Sequence, residues 1–387
     1  MREKQVLPVV VVGLTAALVA VIALWTLDRV AGSDTAPASQ DGPVKVIEWK
    51  LVTTWPKGLP GLGAAPENFA RRVNEASGGR LRIKVFGAGE IVPAFEVFDA
   101  VARGVAEAGH GAAYYWKGKI PASVFYTAVP FGMTAQEANG WLHYGGGLEL
   151  WRELYAPFGV VPFAGGSTGV QMAGWFNIRL NSRSDLEGLK MRIPGLAGEV
   201  FDAAGGSAVR IAGGEVYTSM QTGVIDAVEW VGPYNDRTLG LMEVGDYYYY
   251  PGWHEPGAML ETIVNAEALA ALPDDLQAIV RVAARATNTD MLDDFTANNS
   301  ESLQILLTEF DTEVLPLPDD VMDALYENSQ VAIQALIDAD PMAKKIAASY
   351  FAFAEKVRAY HEISERAYLN GRGRLLPPVS FTEKSAE

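Results

Sequence analysis

Arg192 closes the segment Gly188-Leu189-Lys190-Met191-Arg192-Ile193-Pro194. Its guanidinium is a planar fork that can hold a carboxylate through two parallel hydrogen bonds. Taken alone, an arginine at a strand end is more often a surface residue. Glu229 and Trp230 follow Gln221-Thr222-Gly223-Val224-Ile225-Asp226. A carboxylate in that position is usually solvated or caps a helix; beside an indole in a cleft it can instead bind a cation. Tyr114 and Tyr115 stand at the end of a predicted strand. Their hydroxyls either donate to a ligand or belong to a packed aromatic wall. The run from Tyr247 to Gly257 is dense in aromatics, and its plainest reading is a wall between two lobes. Trp175 and Phe176 are candidates for a pocket floor, and Asn177 is a weaker candidate.

Other patterns carry less. Gly165-Gly166-Ser167-Thr168-Gly169 satisfies G-x-S-x-G, yet a nucleophile elbow needs a helix after the turn. Here Val170 to Phe176 reads as strand. His254-Glu255 and His361-Glu362 do not extend to H-E-x-x-H, and no P-loop or complete G-x-G-x-x-G follows a strand. There are no cysteines, which excludes disulfides, thiolate metal sites and a cysteine nucleophile. The net charge of −16 argues against nucleic acid as a partner, because that affinity comes from basic groups on phosphates.

The elements that must position these residues follow from periodicity. Residues 44–52 and 80–86 alternate as strands, 65–76 and 93–103 read as helices, and a third strand runs from Ala106 into Tyr114-Tyr115-Trp116. This β-α-β-α-β order implies a parallel sheet wrapped by helices, with ligands at the carboxyl ends of the strands. Residues 135–155 are helical with an interruption at Gly145-Gly146-Gly147. Strands are expected at 159–164, 170–178, 191–194 and 208–211, with a helix at 195–204. The 387 residues suffice for two lobes with separate cores. The expected organisation places 44–165 and part of 230–260 in lobe 1 and 166–229 in the core of lobe 2, with helices over 260–317 completing both. A long C-terminal helical segment over 318–371, broken at Asp340-Pro341, and a tail over 372–387 follow. The chain is expected to cross between lobes near 165–180 and 225–255. At the other end, Arg2 and Lys4 precede an uncharged stretch from Gln5 to Leu27. Residues 1–32 therefore read as a signal peptide or a retained membrane anchor, and 33–43 as a small, polar linker.

The stretch Gly213-Gly214-Glu215-Val216-Tyr217-Thr218-Ser219-Met220-Gln221-Thr222-Gly223-Val224-Ile225-Asp226-Ala227-Val228-Glu229-Trp230 reads as a short helix, a glycine stop and a strand ending in a carboxylate. It resembles a hallmark of the solute-binding proteins of TRAP transporters (the DctP type), tripartite carriers of small organic acids. The resemblance covers roughly residues 45–370. It implies a two-lobed α/β fold like that of periplasmic binding proteins, with hinge strands. In that family an arginine after a Gly-Leu-Lys step anchors the solute carboxylate, which corresponds to Arg192. The chain further looks like the subgroup for 2-oxo and 2-hydroxy acids, in which a metal ion assists binding. The implied ligands are Gln171, Glu229, Trp230 through its carbonyl, and Glu255, with Arg192, Gln171, Tyr114, Tyr115 and Trp230 contacting the solute. Two carboxylates, an amide oxygen and a carbonyl are hard donors that suit Na⁺ or Ca²⁺ better than zinc. His254 has no second histidine at a metal spacing and reads as structural. The departure is Asn177-Ile178-Arg179-Leu180, where the broad family often carries an asparagine for the ligand.

The expected function is thus non-catalytic: a periplasmic receptor that delivers a small organic acid to the permease subunits of its transporter. The apolar positions of the C-terminal segment, including Val321, Leu325, Ile346 and Tyr350, either cover the main body or form the contact of a homodimer. The rival readings are an exported metal-dependent enzyme acting on a keto acid, and a sensory ligand-binding module.

Overall fold

The computed structural model describes residues 15–26 and 46–376. Most of the predicted targeting stretch, the 33–43 linker and the last part of the tail lie outside the described residues. Residues 15–26 are helical, with Leu18, Val21, Leu24 and Trp25 exposed. Among the described residues, no helix is long and apolar enough to cross a membrane.

From Val46 onward the chain builds two sheets. The first holds β1 (Ile47–Thr53), β2 (Leu81–Phe86), β3 (Ala108–Gly111), β4 (Val160–Ser167) and β10 (Met259–Asn265), in the order β2-β1-β3-β10-β4. As expected, β1 pairs in parallel with β2 and β3. The next neighbour comes from far along the chain: β10 lies antiparallel between β3 and β4. Its near-continuous burial, Met259 to Val264, is that of a central strand covered on both faces. The second sheet holds β5 (Gly174–Phe176), β6 (Lys190–Arg192), β7 (Ser207–Val209), β8 (Ala227–Val228), β9 (Tyr247–Tyr250) and β11 (Glu313–Pro316), in the order β11-β9-β5-β8-β6-β7.

Several expectations change in detail. The third strand stops at Gly111, and Tyr114 and Tyr115 lie on a 3₁₀ turn, Ala113–Trp116. The strand expected over 170–178 shrinks to Gly174–Phe176, because Thr168, Gln171 and Met172 bond to loop carbonyls rather than to a sheet. The stretch 260–317 is not all helix; it also supplies β10 and β11. The glycine triplet separates two helices, Ala135–Tyr144 and Gly147–Tyr155, with Gly146 in the left-handed region at φ 84°. The chain passes between sheets three times: from β4 to β5, from β9 to β10, and after the helix Asp274–Glu309 into β11. The first two passages hydrogen-bond to each other. Gly252 N–H donates to the Gln171 carbonyl, Gln171 N–H to that of Glu255 and Thr168 N–H to that of Ala258.

The C-terminal segment breaks where expected. Helix Asp319–Ala339 ends at Asp340, whose side chain accepts the amides of Met342 and Ala343 and so caps the helix Pro341–Ile363. Val321 and Leu325 are buried against the second sheet's outer core, alongside Leu186 and Phe201. Ile346 and Tyr350 are buried with Phe125 and Trp141 of the first lobe. The segment therefore covers the body at two places. Tyr350 also accepts the Met133 amide at 2.9 Å. Tyr350→Ala removes a buried ring together with the partner of a buried amide. It should cost about 3–5 kcal/mol in urea unfolding; a loss below about 1 kcal/mol would mean that this helix is not part of the cooperative fold.

Candidate functional site

The site grows from strand register. β6 and β8 are parallel neighbours with Arg192 opposite Val228, so Arg192 and the next residue, Glu229, emerge side by side at one carboxyl edge. Both are almost completely buried, and Arg192 Nη1 donates to Glu229 Oε2 at 2.8 Å and to the Glu229 carbonyl at 2.7 Å. Arg192 Nε donates to the Ile211 carbonyl and Nη2 to the Tyr115 hydroxyl at 3.3 Å. A guanidinium has five N–H donors, so these bonds leave one, on Nη2. The fork anticipated from the sequence is thus largely engaged by the protein. The Nη2–H and the hydroxyl of Tyr115 together form the donor pair at the cavity. Burial raises the Tyr115 pKa, which keeps the phenol protonated and able to donate.

The indole of Trp230 lies 4.9 Å from the guanidinium carbon of Arg192. Gly213 explains one glycine of the hallmark: a Cβ there would stand 2.2 Å from the Trp230 ring. Gly223, at φ 70°, ends the helix Val216–Gln221 in the left-handed region.

Gln171 and Glu255 come from the two bonded passages between the sheets. Gln171 Nε2 donates to Glu255 Oε2 at 2.7 Å and to Thr168 Oγ1 at 3.0 Å, which fixes the amide so that Oε1 is left over. Gln171 Oε1 and Glu229 Oε1 are buried with no hydrogen-bond partner. Glu229, His254 and Glu255 each bring a ligand atom within 4.8 Å of the others. One cavity is lined by Trp55, Tyr115, Gln171, Arg192, Trp230 and Glu255, with Tyr114 and Thr168 also on its wall. Every residue named from the family resemblance is therefore in one place.

Burial dominates the electrostatics. It pushes Glu255 up to about 8, with Glu229 adding repulsion, and Glu229 up to about 7 against the opposing pull of Arg192. His254 is pushed down to about 4 by burial, with Glu255 opposing. His254 Nε2 lies 3.5 Å from Glu229 Oε1, so the fold brings this histidine into the carboxylate cluster, which its sequence spacing did not suggest. The unmatched oxygens and the two strained carboxylates fit a hard cation: Gln171, Glu229 and Glu255 supply the donors it prefers, and Trp230 stands beside them.

Other candidates lie elsewhere. Trp175 stacks on Tyr248 at 4.2 Å and donates to Asp236, and Phe176 sits in the outer core of the second sheet. Neither lines the cavity: Trp175 packs on Tyr248 and Phe176 on Tyr249 of the neighbouring strand β9. Asn177 uses its amide on the Asp226 carbonyl at the strand's far end. Tyr247 and Tyr249 of β9 pack in the outer core of the second sheet, while Tyr248 and Tyr250 join the larger cluster that includes Trp55 and Tyr115. Ser167 is buried in β4 and accepts the Gly169 amide, with no helix following. His361 bonds Glu137 at 2.7 Å, tying two helices together. Sequence reasoning passed over Thr168 and Trp55. The signal for Trp55 was its place in the loop just past β1, at a strand's carboxyl end.

Residues 51–340 match the model of the bacterial extracellular solute-binding proteins, family 7, known as DctP. A monocarboxylate 2-oxoacid-binding periplasmic protein of a Nostoc species is 41% identical over 351 residues, covering 91% of this chain and 96% of that protein. This chain belongs to the DctP family of TRAP transporter solute-binding proteins. Members of the family are receptors of transporters, and the chain is a receptor rather than an enzyme. Solved relatives share its two-lobed fold. A TRAP periplasmic solute-binding protein of Colwellia psychrerythraea, crystallised with calcium and pyruvate, is 41% identical with a TM-score of 0.82, covering 84% of this chain and 100% of its own. One of Pseudoalteromonas atlantica, with sodium and pyruvate, has the same identity and TM-score and covers 84% of this chain and 99% of its own. A Bordetella bronchiseptica relative, a dimer with calcium and picolinate in one site, is 36% identical with a TM-score of 0.83, covering 85% and 98%.

The shifted carboxylates set a pH dependence for the cation-free protein. Glu255 moves from 4.5 unfolded to about 8 folded, so the stability from its protonated form is present below 4.5 and lost as pH rises through 8. Asp236 and Glu261, both raised to about 7, have the same sign, whereas His110 and His254, lowered to about 4, act only below 6.5. Between pH 6.5 and 8.5 in EDTA, the urea midpoint should fall with pH, and less steeply in Glu255→Gln. Equal slopes would show that Glu255 is ionised at neutral pH in the folded chain.

Proposed function

We propose that this chain captures a small 2-oxo or 2-hydroxy monocarboxylate together with Na⁺ or Ca²⁺ and delivers it to the membrane subunits of a TRAP transporter. The observation that carries the reading is a cavity in which Arg192 and Tyr115 present donors to a carboxylate while Gln171 and Glu255 line the wall and Glu229 stands behind Arg192. Gln171, Glu229, the Trp230 carbonyl and Glu255 would hold the cation. When bound, the cation supplies positive charge at which the 2-oxygen and one carboxylate oxygen of the acid can chelate. The relatives with pyruvate and calcium or sodium support this choice of solute and ion.

Charge limits the solute. Once a bound cation holds Glu229 and Glu255 ionised against the upward push of burial, Arg192 leaves the cluster with one net negative charge, since His254 is pushed down to about 4. A divalent cation plus one carboxylate brings the site to neutrality, and a second carboxylate would be buried uncompensated at a large cost. Monocarboxylates are therefore favoured over dicarboxylates.

The deciding experiment is calorimetry of residues 44–387 with pyruvate, lactate and succinate in EDTA, Na⁺ or Ca²⁺. Pyruvate or another 2-oxo acid should bind only with a cation, and at a hundredfold excess over Kd should add about 2.7 kcal/mol to stability. Arg192→Lys, which keeps the charge but loses the fork, should weaken the acid roughly ten- to hundredfold. Glu229→Gln should weaken cation and acid together. Unchanged affinities in both variants would remove the site assignment, and cation-independent binding of succinate would remove the solute class.

The remaining parts of the reading concern export and assembly. Residues 1–32 act as a signal peptide or a retained anchor, placing the body in the periplasm. The helix Glu365–Leu375 buries none of its own residues, and Tyr360, Ile363, Tyr368 and Leu369 are exposed along the end of the C-terminal segment. That apolar face is the contact of a homodimer. Light scattering should give twice the chain mass, and Ile363→Glu with Tyr368→Glu should give a monomer that still binds its solute. A wild-type monomer at micromolar concentration would refute the contact.

A further inference from the structure

The two lobes meet around Tyr115, and two arginines of the second lobe grip that residue from different sides. Arg192 Nη2 reaches its hydroxyl at 3.3 Å. Arg210, just beyond β7, donates from Nη1 to its backbone carbonyl at 3.1 Å. The guanidinium of Arg210 also lies 4.4 Å from the Phe95 ring centroid, and Phe95 packs on the Tyr115 ring at 4.9 Å. Phe95 and Tyr115 belong to the first lobe, on the turns between β2 and β3 and after β3. Arg210 thus holds both the main chain and, through Phe95, the ring of the residue whose hydroxyl completes the donor pair.

A nearby contact gives the comparison. Lys117 of the first lobe pairs with Glu199 of the second, with Glu199 exposed, as Arg210 itself is. Such pairs contribute little. Arg210 differs because its acceptor is a fixed, partly buried carbonyl and its flat face covers an aromatic ring, a combination that lysine cannot reproduce.

We propose that Arg210 is a positioning residue of the solute site: without touching solute or cation, it straps Tyr115 against Arg192 across the shut cleft and so sets how long the closed state lasts. The proposal rests on the solute-binding reading only for its kinetic part. It predicts a change in the closed population even without solute, since the strap joins protein to protein.

The chain has no cysteine, so Glu90→Cys and Gln221→Cys, exposed on opposite lobes, can carry a fluorophore pair without further changes. In this background we would compare Arg210→Met, Arg210→Lys and the control Glu199→Gln. Interlobe distance distributions would be taken without solute, and pyruvate kinetics in Ca²⁺ would follow by stopped flow. Arg210→Met should shift the solute-free distribution toward longer distances and raise the dissociation rate roughly three- to tenfold. The association rate should stay within about twofold. The urea midpoint should be unchanged, Arg210→Lys should recover part of the loss, and Glu199→Gln should behave as wild type. Unaltered distances and dissociation in Arg210→Met would overturn the proposal, as would a loss explained by a lower urea midpoint. If the wild type binds no 2-oxo acid, the solute assignment falls, while the solute-free distances still decide the strap.

Discussion

Two carboxylates and a guanidinium, shut away from water within hydrogen-bonding reach, are the constraint on which the structure turns. Taking a charge out of water costs several kcal/mol even after relaxation. Arg192 offsets that cost for Glu229 through a direct pair and far less for Glu255, whose pKa is pushed up to about 8 by burial and by Glu229. A protein does not hold such a cluster for stability alone. In the proposed receptor the imbalance has a use: a cation with a carboxylate would complete the charge of the cluster. Affinity and ion dependence then have the same origin.

The fold places this cluster where motion and recognition coincide. Glu229 and Arg192 stand on the carboxyl edge of the second sheet, while Gln171 and Glu255 ride on the two strands of chain that join the lobes. Tyr115 arrives from the first lobe. A solute held in this cavity would touch both lobes and the connection between them, so its binding energy would act directly on an open–closed equilibrium. The C-terminal helices, one packed on each lobe, bound how far that motion can go without unpacking Val321, Leu325, Ile346 and Tyr350.

Much of this was legible in the chain. The alternation of β1 and β2, the helix after β1, the break at Asp340-Pro341 and the strand-end position of Arg192 and Glu229 are local properties, set by periodicity, caps and the carboxyl-end rule for α/β sheets. The candidate site residues were named through the family resemblance, and the fold gathers Tyr114, Tyr115, Gln171, Arg192, Trp230 and Glu255 at one cavity with Glu229 bonded to Arg192. Local reading erred where partners were distant. Residues 170–173 look like strand, but Gln171 bonds to the 251–258 passage and Met172 to Val231, and Trp175 and Phe176 look like a pocket floor but are consumed by packing against β9.

The sequence by itself determined which groups were on offer: an acidic, cysteine-free chain with one arginine and two carboxylates in the right segments, and glycines where an indole or a turn requires them. Only the tertiary structure decided how they are used. It engaged four of the five donors of Arg192, turned Gln171 so that its oxygen is the atom left over, and drew His254 into the carboxylate cluster. It also set Arg210 on the far side of Tyr115. The physical reason is that hydrogen-bond partners and desolvation depend on neighbours tens of residues away in sequence. Such neighbours exist only once the strands have chosen their order and register.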